Sequence, residues 1–207
     1  MSRRALCLAL TLLLGCGGSD DAPALRGEFS SDVERCRAQL DAIYDALRAH
    51  HAREGALPRE RDARFLAALL WAGDLPEGEA SAELLSCCGT QMGERRMELA
   101  RLRERWSDAE AVRADWSAYA VRDFEAHPLA QFPSGGPEPE PLIACDNAHG
   151  QNHAGLTNLL RSDGSIVTYD LQREVDEGRV PVGTRTLVVG PDSPLPELRK
   201  LRAGRAD

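Results

Sequence analysis

The chain has 207 residues, with 33 acidic side chains against 25 Lys and Arg and a formal net charge of −8. That balance repels phosphate backbones and anionic headgroups, so nucleic acid is set aside as a partner. Aromatic residues make up only 5% of the chain, which predicts a core of Leu, Val and Ala.

The first segment reads MSRRALCLALTLLLGCGGSDD. Two basic residues, Arg3 and Arg4, precede an apolar run from Ala5 to Leu14. The run is shorter than the roughly 20 residues that span a bilayer as a helix, so it reads as a secretory signal. Its end, Leu13-Leu14-Gly15-Cys16, resembles the bacterial lipobox. That resemblance implies cleavage before Cys16 and acylation of its thiol. The predicted contact with the membrane is then the lipid itself, since several acyl chains together hold a protein firmly.

Loss of Cys7 with the signal and acylation of Cys16 leave Cys36, Cys87, Cys88 and Cys145. An oxidising compartment favours their pairing, and four cysteines allow three connectivities. A Cys87–Cys88 bond would close a strained ring, so one of the two is expected to pair with a distant partner, Cys145 before Cys36. No CxxC knuckle occurs, which argues against a zinc site with four cysteine ligands.

Gly18 to Gly27 reads as a tether, small and polar. Ser30 or Ser31 can then cap a helix whose first turn holds Asp32 and Glu34, where the dipole favours acids. Val33, Cys36, Leu40, Ile43, Tyr44 and Leu47 recur at three-to-four spacing and predict one apolar stripe. Gly55 and Pro58 end this helix. The adjacent His50 and His51 sit where the dipole favours cations. A second helix is predicted from Glu60 to Trp71, and the charge-rich run 94–106 reads as a third helix or a surface insertion.

Period two takes over after residue 115. The stretches 116–124 and 142–145 read as strands, separated by a Pro- and Gly-rich loop at 132–141. Residues 155–171 form two alternating runs joined at Asp163-Gly164, a pair that favours a tight hairpin turn. Residues 184–190 read as an edge strand and 191–207 as a disordered tail. The predicted organisation is a signal at 1–15, lipidated Cys16 with a tether to residue 29, one globular domain over 30–190, and the tail. Helices first and strands last predict an α+β fold, a long amphipathic helix packed on a C-terminal antiparallel sheet.

The order of these pieces resembles the prepilin-like, pseudopilin-like proteins of the DUF1559 type. The resemblance runs over about residues 34–171. It is carried by the opening helix "CRAQLDAIYDALRAHHAREGALP", the segment "FLAALLWAGDLP" leading to "LLSCC", the strand "WSAYAVRDF", and an H-x9-DG signature of His153, Asp163 and Gly164. It implies a pilin-like domain, and on a lipid anchor an accessory or recognition role in a secretion or pilus-like envelope system. The processing site and wholly apolar helix of filament-forming pilins are missing, so filament assembly is not implied.

His153 decides between a binding protein and an enzyme. The reading preferred here is architectural: the ring bonds a carbonyl or an Asp and fixes loop 146–152 onto the sheet. In the rival reading His149 and His153, four apart, bind a metal with Asp146 or Asp163, or Asp146, Asn147 and Asp163 hold calcium. HExxH is absent because position 150 is Gly, and no G-x-S-x-G occurs. The expectation is therefore a non-enzymatic lipoprotein with no metal and no cofactor, whose partners are the membrane and envelope proteins. The alternative is a metal-binding protein or metal-dependent hydrolase on His149 and His153.

Overall fold

The computed structural model describes residues 22–76, 78–85, 87–89, 106, 108, 109, 111–113, 116–133, 138–146 and 152–204. The first helix, α1, spans Ala22–Glu54. It starts inside the stretch expected to be a tether; Pro23 suits a first helical turn, where a missing N–H costs nothing, and Ala24, Leu25 and Arg26 favour helix. Its predicted stripe is the buried one: Val33, Cys36, Leu40, Ile43 and Leu47 all lie in the interior. Helix α2 covers Asp62–Trp71 and a short α3 covers Glu79–Leu84. The charge-rich run 94–105 lies outside the described residues. No described helix is long and apolar enough to cross a membrane.

The strands are β1 (Ala120–Arg122), β2 (Pro141–Ala144), β3 (Leu156–Arg161), β4 (Ile166–Asp170) and β5 (Leu201–Arg202). A short helix, α4, spans Leu171–Asp176 with Asp170 as its cap, accepting from the backbone N–H groups of Gln172 and Arg173. The five strands form one antiparallel sheet in the order β4-β3-β2-β1-β5. The expected combination of an N-terminal helix with an antiparallel sheet is what is found.

Adjacent residues on a strand face opposite sides, and both sides of this sheet are covered. Val121, Ile143 and Leu160 face the main core with α1 and α2. Ala120, Ala144 and Leu159 face a second core made with Val180, Leu187, Leu195, Leu198 and Leu201. This second core corrects two expectations. Residues 184–190 form no strand, and the stretch expected to be a disordered tail is folded as far as residue 204. The reason is the sheet's outer face, which is apolar and needs cover. Leu195, Leu198 and Leu201 recur every third residue and supply it, and β5 provides the edge pairing with β1.

The Asp163-Gly164 turn forms as expected. Asp163 Oδ1 accepts from Ser165 N at 2.9 Å and from Ser165 Oγ at 2.6 Å. Gly164 has φ +87°, and a Cβ there would lie 2.6 Å from the Tyr44 ring. The turn is thus clamped against α1, with Tyr44 donating to the Ser162 carbonyl at 3.3 Å. A buried arginine braces the far edge. Arg122 donates to the carbonyls of His127 and Pro141 at 2.7 and 2.9 Å and pairs with Glu140 at 2.5 Å.

Leu198→Ala tests the folded C-terminal segment. The fully buried side chain predicts a loss of about 2–5 kcal/mol, read as a lower urea midpoint at unchanged slope. A midpoint equal to the wild type would mean that the segment is not part of the fold.

Candidate functional site

Four chemistry-bearing side chains from four separate segments meet inside the molecule. Cys36 comes from the buried stripe of α1, and Cys87 from the loop after α3. Cys145 follows the last residue of β2, and His153 lies just before β3. All four are buried; the three cysteines are 0% exposed and His153 is 3% exposed. Their donor atoms lie within 4.8 Å of one another. Cys36 Sγ and Cys87 Sγ are 3.7 Å apart, and Cys87 Sγ lies 3.2 Å from His153 Nε2.

The local structure explains the convergence. Leu156 N donates to the His153 carbonyl at 3.3 Å, an isolated bridge that brings residue 153 back onto the start of β3. Asp146, itself buried, accepts from Asn152 N at 2.8 Å and from the Thr157 hydroxyl. The Asn152 amide donates to the carbonyls of Ala118, at 3.0 Å, and Cys145. Asn158 N donates to Cys145 Sγ at 3.1 Å, and the Asn158 amide donates to the Val33 carbonyl at 3.1 Å. This frame ties the cysteine of β2 and the histidine to one turn of α1. Gly89 closes the other side. A Cβ at residue 89 would fall 2.3 Å from the Asn152 carbonyl oxygen and 2.4 Å from the His153 ring.

Charge in the cluster is shared unevenly. Hydrogen bonds from the Cys145 and Cys87 thiols hold Cys36 far below the usual thiol range, down to about 2. The same contacts push the Cys87 thiol up, and burial pushes Cys145 up. Burial pulls His153 down, but the contact with the Cys36 sulfur and the nearby charges of Cys36, Cys88 and Asp146 together leave its pKa raised. Burial also pushes Asp146 up to about 6.

The expected disulfides are not formed: Cys36, Cys87, Cys88 and Cys145 are all unbridged. Three sulfurs converge with an imidazole, so Cys145 meets Cys36 and Cys87 together and does not pair off with Cys87 or Cys88. Cys88 is not one of the four converging donors. It is half-buried, and its thiol donates to the Asp32 carbonyl at 3.1 Å. A hydrogen bond from Cys87, aided by Arg35, lowers its pKa to about 7.

The histidine expectations divide. The His153 ring, expected to bond a carbonyl or an Asp, meets the Cys87 sulfur. His149 and Asn147 lie outside the described residues. Asp163 and Gly164 belong to the hairpin turn and touch Ser165 and Tyr44, so the two ends of the H-x9-DG segment perform separate tasks. His50 bonds Asp74 Oδ2 at 2.7 Å, and the His51 ring packs edge-on to Phe132. The expected absence of a metal site rested on the missing CxxC spacing for a four-cysteine site and the missing HExxH for the histidines. Sequence reasoning missed that three lone cysteines and one histidine, far apart in the chain, would meet; the one available signal was Cys36 on the buried stripe of α1.

Gly89→Ala is predicted to lower stability by about 1–3 kcal/mol, because either the His153 ring or the Asn152 backbone must move. Urea unfolding measures it, and a variant as stable as the wild type would contradict the packing of this ring. In comparisons with known proteins, no family model, no curated protein and no solved structure matches the chain.

Proposed function

We propose that the chain is a non-enzymatic lipoprotein of the bacterial cell envelope. Acyl chains on Cys16 hold a helix-and-sheet domain at a membrane surface, where it acts by binding. The observation that carries this reading is the apolar run Ala5–Leu14, which ends in the motif Leu13-Leu14-Gly15-Cys16. A periplasmic or outer-membrane location follows from it.

The geometry around His153 supports binding over catalysis. A general base must reach a substrate proton, and a ring that is 3% exposed among three fully buried sulfurs has no such reach. A metal-dependent hydrolase on His149 and His153 would need an imidazole open to solvent. The pilin-like order of segments, with His153, Asp163 and Gly164, supports an accessory or recognition role in a secretion or pilus-like assembly. Partners are then envelope proteins, not nucleic acid, and the acidic net charge of −8 agrees with that.

Replacing Cys16 with Ser tests the proposal in the source bacterium or a Gram-negative host. The expected result is loss of labelled palmitate from the chain and its transfer from the membrane fraction to the soluble envelope fraction. Palmitate-free wild-type chain, or a Cys16→Ser chain still in the membrane pellet, would overturn the anchor.

A further inference from the structure

We propose that Cys36, Cys87, Cys145 and His153 form a closed metal centre that holds one zinc ion. A tetrahedral zinc ion with sulfur at about 2.3 Å and nitrogen at about 2.0 Å places sulfurs about 3.8 Å apart and sulfur about 3.5 Å from nitrogen. The structure has Cys36 and Cys87 at 3.7 Å and Cys87 and His153 Nε2 at 3.2 Å, with all four donor atoms within 4.8 Å. Two sulfurs sharing a disulfide would sit at about 2.05 Å.

The donor set selects the metal. Thiolates and imidazole suit zinc, whereas calcium and magnesium require oxygen ligands. Four protein donors fill the tetrahedral shell and leave no position for water or substrate, which marks a structural centre. Binding displaces the remaining thiol protons to solvent, and the neutral imidazole donates through Nε2. Three thiolates on a divalent ion leave one net negative charge, and the Asn158 N–H directed at Cys145 Sγ from 3.1 Å offsets part of it. Asp146, Asn152 and Thr157 hold the backbone on either side of the ligands, the supporting role that outer hydrogen bonds play around metal sites. Cys88, bonded to the Asp32 carbonyl, is not a ligand.

A single disulfide answers the same cluster less well. Closing Cys36 onto Cys87 would leave the Cys145 thiol and the His153 ring buried together with no shared partner. Zinc uses all four groups at once, and it ties α1, the loop after α3, β2 and the start of β3 to one point.

The full-length lipoprotein, extracted in detergent and carrying no His tag, tests this by elemental analysis. The expected result is one equivalent of zinc per chain, kept in Cys88→Ser and lost to background in Cys36→Ser and Cys145→Ser. If the ligand variants do not fold, cobalt exchanged into the wild-type chain gives the answer. A thiolate-to-cobalt charge-transfer band with strong tetrahedral d–d absorption supports the centre, and a weak octahedral spectrum overturns it. Zinc-free chain with Cys36, Cys87 or Cys145 in a disulfide, seen by mass spectrometry of non-reduced peptides, also overturns it. Membrane fractionation reads the lipid anchor separately, so either conclusion can fail alone.

Discussion

The structure depends on bringing three sulfurs and an imidazole together where no water reaches them. A buried ionised or polar group is costly unless it is paired and hydrogen-bonded. Cys36 is surrounded by the Cys87 and Cys145 sulfurs and the His153 ring, all buried. β1 has three residues and β2 has four, and Cys87 stands in a loop. Strands this short contribute few ladder hydrogen bonds. In the proposed zinc centre, a shared point of attachment would do for the domain what a larger aromatic core or a set of disulfides does elsewhere.

The sheet distributes the remaining work between its faces. One face packs on the helices through Val121, Ile143 and Leu160, and the sulfur cluster lies where β2 ends and β3 begins. The other is sealed by the segment that runs from α4 to β5, through Val180, Leu187, Leu195 and Leu198. The H-x9-DG segment runs along β3 from the open end of the β3–β4 hairpin to its turn and anchors both ends. His153 fixes the open end to the sulfurs, and Gly164, lacking a side chain, lets the turn press against Tyr44. The hairpin therefore cannot shift along α1 without disturbing one contact or the other.

Elements with a strong period were legible in the sequence. The apolar stripe from Val33 to Leu47, the second helix, and the Asp163-Gly164 hairpin all follow from spacing and turn chemistry, which are local. Two things were not legible, for one reason. The C-terminal segment is rich in proline and charge, so local composition reads as disorder, yet its leucines answer an apolar sheet face formed by distant residues. The cysteines carry no short ligand spacing, so their meeting depends on the placement of α1, β2 and β3 together. Cys87 and Cys88 are neighbours in sequence with opposite fates, one inside the cluster and one bonded to Asp32, and only the tertiary arrangement separates them.

The most direct measurement of the central claim is thermal unfolding of the purified full chain, in reducing buffer, with and without a strong chelator. A ligand that binds only the folded state stabilises it in proportion to its affinity. The account predicts a large fall in Tm on chelation, restored by one equivalent of zinc. An unchanged Tm, with the metal removed and the thiols reduced, would contradict it, because the fold would then stand without the centre.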